Sequence, residues 1–287
     1  MLKVNFICII LIVLSFGGVK GQSTDFTKEG SFTEGIEGPA TDQNGNIYAV
    51  NFGEQGTIGK VSPNGNASLF IKLPEGSIGN GIRFGKAGEM FIADYTNHNV
   101  LRVDMDNKRI EVYAHEPKAN QPNDLAIAPD KTLYASDPNW SDNTGNIWKV
   151  TKENGFELLE ADMGTTNGIE VSLDGKKLYV NESVQRKIWV YDILENGDVT
   201  NKQQFYAFDD FGLDGMRFHK NGNLFVSRYG KGTVVVLSTK GKLLKEIKIK
   251  GENPTNLTFS PDYSKCYVTV ADRGCFEVID LKAMDMD

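Results

Sequence analysis

Six short runs of aliphatic, aromatic and β-branched residues recur along the chain at nearly constant spacing. They begin at residues 47, 90, 133, 178, 224 and 266, so successive starts lie 43, 43, 45, 46 and 42 residues apart. The runs read IYAV, MFIA, LYAS, LYVN, LFVS and CYVT. No segment between them keeps an apolar period of 3.6 residues over the length of a helix. A period in the forties with this all-β character predicts a six-bladed β-propeller, with one four-stranded blade per repeat.

Each repeat predicts the same four strands, but the last repeat is incomplete. A first strand such as GIRF at 81–84 precedes the recurring run, and weaker third and fourth strands follow it. The sixth repeat ends before a fourth strand, whereas residues 25–32 belong to no repeat. We therefore expect residues 25–32 to form the outer strand of the last blade and close the ring, which leaves no open sheet edge. Residues 22–287 are expected to form this single domain.

Residues 1–21 have the composition of a secretory signal peptide. Lys3 provides a positive start, residues 6–16 form an almost unbroken apolar run, and small residues suited to a cleavage site follow, ending at Gly21. The alternative is a membrane anchor, which needs a longer apolar run to cross a hydrocarbon core about 30 Å thick. We expect an exported protein, periplasmic or secreted, without membrane contact after cleavage.

The charge and the cysteine content exclude some functions. The formal net charge is −7 and becomes −9 when two lysines leave with the signal peptide, so no basic surface for nucleic acid is expected. Cys266 and Cys275 remain after cleavage, in a compartment where a disulfide persists. Whether they pair depends on strand register, which the sequence leaves open. The oligomeric state is open as well.

One polar residue stands just before the first strand of each repeat. Because first strands line the channel of a propeller, we expect these side chains to converge at one mouth of the channel. The alternative for each residue taken alone is an ordinary hairpin turn, since Asn-Gly and Asp-Gly pairs favour such turns. Two carboxylates with amide oxygens form an all-oxygen set that suits Ca²⁺, Mg²⁺ or Mn²⁺ better than Zn²⁺ or Cu²⁺. The six residues are Glu37, Asn80, Asn123, Asn167, Asp214 and Asn256.

Short motifs surround these residues in a fixed order. They are Glu37-Gly38-Pro39, Pro122-Asn123-Asp124-Leu125, Ser136-Asp137-Pro138, Asn167-Gly168, SLDGKKLYV at 172–180, Asp214-Gly215 and Asn253-Pro254-Thr255-Asn256. In these motifs the chain resembles the regucalcin/gluconolactonase (senescence-marker-protein) family of six-bladed β-propeller hydrolases, and the bacterial gluconolactonases most closely. The resemblance covers about residues 34–280.

The resemblance implies a divalent cation on the channel axis. Calcium is the first expectation, with Mg²⁺, Mn²⁺ or Zn²⁺ as alternatives. Carried over by motif, Glu37, Asn167 and Asp214 are ligands, and Asn123 is either a further ligand or a substrate contact. The family also gives Asp214 the role of general base. The chain departs from the family at Gln121, where lactone hydrolases of the regucalcin type have an arginine, and this leaves the particular sugar lactone open.

The expected reaction is hydrolysis of a lactone, with a sugar lactone such as gluconolactone as the small-molecule substrate. The cation would polarise the carbonyl oxygen while a water molecule attacks. Either Asp214 accepts the proton of that water, or the water loses its proton through contact with the cation. The second alternative stays open because a cation-bound carboxylate is a weak base. Two other functions stay open: a phosphotriesterase-like hydrolase on the same oxygen site, and a non-catalytic propeller that binds a protein or a sugar.

Connections between the second and third strands should surround the substrate. They comprise residues 94–98, 137–143, 228–229 and 272–273 together with Glu182. Trp140 lies in the longest connection and either contacts the substrate as part of a lid or packs against a neighbouring blade. Asn80, Asn123 and Gln121 are the other expected substrate contacts. Arg228 either binds an anionic substrate or pairs with a surface acid.

The three histidines divide between the two ends of the channel. His219 stands beside the Asn221-Gly222 turn, opposite the site, and is expected to be solvated. His98 and His115 are expected on the ligand face, where one of them could serve as a base.

Overall fold

The computed structural model describes residues 22–284. The predicted signal peptide, residues 1–21, lies outside the described residues, and the prediction of export stays a prediction. Within residues 22–284 there is no helix long and apolar enough to cross a membrane.

The described residues form six four-stranded antiparallel sheets. Blade 1 contains β2 (Ala40–Thr41), β3 (Ile47–Val50), β4 (Thr57–Val61) and β5 (Ala67–Lys72). Blade 2 contains β6 (Gly79–Phe84), β7 (Met90–Asp94), β8 (Asn99–Val103) and β9 (Ile110–His115). Blade 3 contains β10 (Leu125–Ile127), β11 (Leu133–Asn139), β12 (Thr144–Thr151) and β13 (Gly155–Met163). Blade 4 contains β14 (Thr166–Val171), β15 (Lys177–Glu182), β16 (Lys187–Ile193) and β17 (Val199–Ala207). Blade 5 contains β18 (Met216–Phe218), β19 (Leu224–Arg228), β20 (Thr233–Leu237) and β21 (Leu243–Lys248). Blade 6 contains β22 (Pro254–Phe259), β23 (Lys265–Val270), β24 (Cys275–Asp280) and β1 (Thr24–Asp25). Two short 3₁₀ helices follow β23 and β24, at Ala271–Arg273 and Lys282–Met284.

The first strands meet around a common axis. They contact one another in the cyclic order β2, β6, β10, β14, β18, β22 and back to β2. Apolar side chains of neighbouring blades pack together between the sheets, as Tyr48 and Val50 do with Ile82 and Ile92. The prediction of a six-bladed β-propeller is therefore confirmed.

The N-terminal segment closes the ring, as predicted, although its strand is short. Thr24 and Asp25 pair with Val278 and Glu277 of β24, and the next two N–H groups donate to the carbonyl of Phe276. The segment then leaves the sheet and buries Phe32 edge-on against the ring of Phe276, at a centroid distance of 5.6 Å. Apolar packing thus replaces strand pairing over most of the predicted range 25–32.

Three acids expected in substrate-facing loops instead lie buried within the second strands. Asp94 accepts from the Ser77 hydroxyl at 2.8 Å, Asp137 accepts from the Gln121 backbone N–H at 2.6 Å, and Glu182 accepts from Gly164 at 2.9 Å. These acceptor contacts fix the segments that enter the first strands of blades 2, 3 and 4. The three acids therefore hold the backbone, and the expectation that they face substrate was wrong.

His219 is buried, so the expectation that it is solvated was also wrong. Its ring lies among those of Phe225, Phe259 and Tyr263 at centroid distances of 5.2 to 5.8 Å. Its Nε2 lies 3.1 Å from the carbonyl oxygen of Tyr263. Aromatic packing between blades 5 and 6 thus covers a side chain that the sequence placed beside an exposed turn.

The register of β23 and β24 separates the two remaining cysteines. Cys275 pairs with Val270 and Cys266 pairs with Ile279, which places the cysteines four positions apart along the ladder, or roughly 13 Å. A disulfide needs Cα atoms closer than about 7 Å. Both thiols are free and fully buried, which settles the question that the sequence left open.

We expect Cys266 and Cys275 to resist thiol reagents in the folded protein. Burial raises the pKa of Cys275 to about 12 and raises that of Cys266 as well, and the thiolate is the reactive form. Alkylation followed by peptide mass spectrometry should modify neither cysteine in buffer. Both cysteines should be modified in roughly 6 M guanidinium, where unfolding exposes the buried thiols. Recovery of a Cys266–Cys275 cross-linked peptide from non-reduced protein would contradict the register.

Candidate active site

Each blade presents one residue at the same register position, within its first strand or just before it. Strand pairing aligns Ile82, Leu125, Ile169 and Met216 opposite the third residue of the recurring run, and the side chain two positions earlier faces the channel mouth. The residues at this position are Glu37, Asn80, Asn123, Asn167, Asp214 and Thr255.

The register corrects the position expected for Asn256. In blade 6, Leu257 pairs with Val268, so the equivalent of Asp214 is Thr255 and Asn256 lies one residue further along. A shift of one residue turns a strand side chain to the other face. The spacing in the sequence already carried this information, because seven residues separate each of the other five site residues from a turn, and the turn residue Asp262 lies seven after Thr255.

A cavity of about 370 Å³ opens at this end of the channel. Its lining residues are Glu37, Asn80, Asn123, Trp140, Asn167, Ser183, Asp214, Tyr229 and Thr255. The structure thus brings together all four of the predicted metal ligands and three of the four predicted substrate contacts.

The other predicted substrate contact is placed differently. Gln121 is not among the lining residues, and its backbone N–H donates to Asp137. Trp140 lines the cavity on the connection between β11 and β12 and is 43% exposed, as expected of a substrate contact rather than of a residue packed between blades. The roles of these residues toward substrate stay predictions.

Below the cavity the channel is too narrow for a side chain from every blade. At the position after each site residue, four blades have glycine, and a Cβ on Gly215 would lie 1.9 Å from the Cγ atom of Asn256. A Cβ on Gly81 would lie 2.7 Å from Asp124. The two blades without glycine at this position carry Asp124 and Asn256, and these two side chains fill the channel.

Asn256 connects the cavity to the charged groups beneath it. Its Nδ2 donates to Glu37 Oε2 at 3.0 Å and lies 3.4 Å from Asp124 Oδ2. Its Oδ1 accepts from the Leu257 backbone N–H at 2.9 Å, which fixes the orientation of the amide. The residue is therefore a donor that positions Glu37, and it does not line the cavity.

Two arginines lie in the channel beneath Asn256. Arg83 donates to Asp124 Oδ1 at 3.1 Å, and Arg217 donates to Asp124 Oδ2 at 3.2 Å. Both also lie 3.6 Å from Oε2 of Glu170. Although burial opposes ionisation, the two guanidinium groups hold the pKa of Asp124 below its usual range. Burial outweighs the more distant contacts of Glu170 and raises its pKa.

This charged network was not predicted from the sequence, yet a signal for it was present. Arg83, Glu170 and Arg217 occupy the same place in the first strands GIRF, GIEV and GMRF. Because side chains alternate along a strand, each of these charged residues faces the same side as the glycine two residues before it, which faces the channel. Charged residues at a repeated inward position therefore predict a buried ion network.

The two carboxyl groups of the cavity strongly influence each other. Burial and the nearby Asp124 charge raise the pKa of Glu37 to about 7. Burial and the Glu37 carboxylate raise the pKa of Asp214 well above its usual range, and the two groups share a hydrogen bond. Asp214 is held at its backbone, where its N–H donates to Ser227 at 3.0 Å and its carbonyl accepts from Asn181 Nδ2 at 2.6 Å.

The donor set fits a hard divalent cation. The oxygen Oδ1 of Asn123 is buried and has no hydrogen-bond partner among the described residues, and the carboxylates of Glu37 and Asp214 lie in the same cavity. No group of three or more His, Cys, Asp or Glu side chains in the described part of the chain is arranged to hold a metal. A cation here would depend on amide oxygens for the rest of its ligands, as Ca²⁺ and Mg²⁺ sites often do.

Arg228 and two histidines do not line the cavity. Arg228 is almost fully buried and pairs with Asp210 at 2.7 Å, which matches the ion-pair alternative rather than an anion contact. His115 Nδ1 lies 2.9 Å from Asn99 Oδ1. His98 joins β7 to β8 in a left-handed conformation.

Comparison with known proteins agrees with this geometry. The family described as SMP-30/Gluconolactonase/LRE-like region matches residues 36–272. The gluconolactonase of Zymomonas mobilis subsp. mobilis is 28% identical over 243 residues, which cover 72% of this chain and 68% of that protein. The diisopropyl-fluorophosphatase of Loligo vulgaris is 27% identical over 277 residues, which cover 85% of this chain and 88% of that protein.

A solved structure gives the same architecture. The calcium-binding protein regucalcin from Agrobacterium tumefaciens superposes with a TM-score of 0.78 at 19% identity, covering 91% of this chain and 94% of that one. The chain belongs to the SMP-30/gluconolactonase family, which confirms the resemblance inferred from the motifs.

We expect Asp124→Ala to destabilise the fold by about 3–5 kcal/mol, because it leaves Arg83 and Arg217 as uncompensated buried charges. The measurement is urea unfolding monitored by tryptophan fluorescence. The matched control is Asp106→Ala on an exposed turn, which should change the unfolding free energy by less than about 0.5 kcal/mol. Equal effects of the two substitutions would show that the channel network carries no stability.

The chelated protein should lose stability as the pH rises from about 4.5 to about 7. The folded-state pKa of Glu37 lies above its ordinary value of 4.5, so in this window the folded state holds a proton that the unfolded chain has released. The Glu37 proton contributes on the order of 3 kcal/mol to the unfolding free energy below this window, and this contribution is lost as the pH rises through the window. Unfolding free energies in EDTA across this range measure the slope. Glu37→Gln should flatten the slope, whereas Glu34→Gln, an exposed acid three residues earlier, should retain it.

Proposed function

We propose that this protein hydrolyses a sugar lactone to the open hydroxy acid at the mouth of its propeller channel, with a divalent cation, calcium first, held by Glu37, Asn123, Asn167 and Asp214. The enzyme class follows from the family: the relatives include lactonases, which are carboxylic ester hydrolases. The particular lactone and the particular ion are part of the proposal.

The charge balance of the channel is the observation that carries the proposal. Four carboxyl groups lie in the channel, at Glu37, Asp124, Glu170 and Asp214, whereas Arg83 and Arg217 are the cationic side chains beside them. Fully ionised, this set carries an excess of two negative charges. The excess belongs to the two carboxylates that line the cavity, and a divalent cation would balance it.

When bound, the cation would supply a Lewis acid for the lactone carbonyl oxygen. The protein's own groups do the rest of the work. Asp214 accepts the proton of the attacking water, and its fixed backbone keeps the carboxylate aimed into the cavity. Asn80 and Asn123 offer amide groups to the ring hydroxyls, with Asn80 Nδ2 anchored 3.2 Å from the carbonyl of Asn123. The walls of the cavity hold the ring while its ester bond opens.

A second candidate is hydrolysis of a phosphorus ester on the same site. The relative named diisopropyl-fluorophosphatase matches a larger share of this chain than the gluconolactonase does. The oxygen donors suit a phosphoryl oxygen as well as a carbonyl oxygen. Fluoride release from diisopropyl fluorophosphate should therefore be measured beside lactone opening, and a higher kcat/KM for the phosphofluoridate would make it the better description.

The decisive experiment is proton release from glucono-δ-lactone, corrected for spontaneous opening. Asp214→Asn should lower kcat/KM by about 100-fold or more because it removes the general base, and Glu37→Gln should abolish stabilisation by added Ca²⁺. Glu34→Gln should stay within about twofold of wild type, as expected for an exposed side chain. EDTA should remove activity, and Ca²⁺ or Mn²⁺ should restore it. Full activity in protein shown by elemental analysis to be metal-free would overturn the proposal.

A further inference from the structure

Four large apolar side chains are exposed at the face where the cavity opens. Trp140, Val184, Phe211 and Tyr229 lie on connections of blades 3, 4 and 5 and are 42 to 49% exposed. We call this set the apolar rim. Other exposed apolar side chains lie elsewhere, on outer strands such as β9 and β21 or, like Leu173, at the opposite end of the ring. The rim is therefore specific to the site's half of the molecule.

The apolar rim is continuous with the cavity. Trp140 and Tyr229 line the cavity together with Asp214. The connections that carry the rim also touch one another: Gln185 donates to the carbonyl of Asn143 at 3.0 Å, and the Leu213 N–H donates to Ser183 at 3.4 Å. A molecule seated in the cavity and extending outward over blades 3 to 5 would lie on this wall.

Phe211 is built into an unfavourable conformation. Its φ of 43° lies in the left-handed region, which is costly for a bulky residue and typical of functional positions. The Arg228 guanidinium bonds to the carbonyls of Asp210 and Gly212, on either side of Phe211. It also stacks 3.8 Å from the ring centroid of Phe208. A buried clamp thus presents an exposed aromatic ring in a fixed position.

The cavity offers no positive side chain to a substrate. None of the described residues that line it is Lys, Arg or His, and the nearby Arg228 is engaged by Asp210. A carboxylate, phosphate or sulfonate group on the part of a lactone that lies away from the cation would therefore meet no cationic side chain there. Apolar contact and amide hydrogen bonds are the interactions available.

We propose that the apolar rim binds an apolar substituent of the substrate, so that the substrate class is an uncharged lactone carrying an alkyl or aryl group beyond its ring. This inference rests on the proposed function for the position of the ring. The ring and its carbonyl occupy the polar floor of the cavity, and the substituent lies across Trp140, Tyr229 and Phe211.

The test is a series of δ-lactones with methyl, propyl, pentyl or heptyl groups on the ring carbon that bears the ester oxygen. With the cation-loaded enzyme, kcat/KM should rise roughly twofold to fourfold per methylene until the rim is covered, as expected for burial of a methylene. Tyr229→Ser and Phe211→Asn should flatten this rise. Asparagine is chosen because it tolerates the left-handed backbone at 211. Leu173→Asn, an equally exposed position at the opposite end, should leave the rise unchanged.

Calorimetry with the matching alkyl δ-lactams separates this inference from the proposed function, because lactams report binding without turnover. Lactam affinity that rises with chain length in wild type and not in Phe211→Asn supports the rim even if no lactone is hydrolysed. Turnover of glucono-δ-lactone with a flat chain-length profile for lactones and lactams overturns the rim and keeps the lactonase. A third result would also overturn the substrate-binding role of the rim. It is a flat chain-length profile together with co-sedimentation of wild type, but not of Phe211→Asn, with phosphatidylcholine vesicles, because the rim would then be a membrane-binding surface.

Discussion

Buried negative charge is the constraint on which the rest of the channel depends. Four acids converge on the channel axis, and three of them, Glu37, Asp124 and Asp214, are buried, where isolated charges are costly. The molecule divides them into two layers. In the lower layer, Arg83 and Arg217 hold Asp124 ionised and leave Glu170 with a raised pKa. In the upper layer, Glu37 and Asp214 have no cationic side chain beside them, and sharing protons is the response available to the protein alone.

Asn256 lies between these two layers. Its amide donates upward to Glu37 and faces Asp124 below, so the two acids are bridged by a neutral group rather than placed in contact. The glycines at the same level in four blades leave room for this arrangement. A channel of this width can therefore hold the carboxyl groups of Glu37 and Asp214 above a structural network of ion pairs.

Much of this arrangement could be read from the repeat. The phase of the six runs predicted the ring, its closure and the five site residues from Glu37 to Asp214, because strand alternation and a fixed period leave little freedom. The sixth site position was missed because Asn256 looks like the other asparagines, although the seven-residue spacing to Asp262 and the pairing of Leu257 with Val268 both assign that place to Thr255. His219 was misjudged for a different reason: three aromatic rings from two blades cover it, and packing between blades leaves no periodic trace.

A recurring position outside the channel holds the connections that deliver the site residues. Just after the recurring run, Asn51, Asp94, Asp137, Glu182 and Arg228 each bond to the segment that enters their own blade. The residue types differ in charge, yet each satisfies backbone or hydroxyl groups of the segment before the first strand. The same kind of hydrogen bond therefore supports the site in five blades. The side chain donates or accepts according to the group that it meets.

The pairing of β1 with β24 has a consequence for the site that lies far from it. All six blades contribute a polar residue to the cavity, and the outermost strand of the sixth blade closes the ring that holds these residues together. Any ligand that needs all of these residues binds the closed ring and not the open chain. Its binding free energy is therefore added to the stability of the closed ring. The outer edge of the molecule and its axis are thus thermodynamically linked, so that the docking of Thr24 and Asp25 and the occupancy of the cavity favour each other.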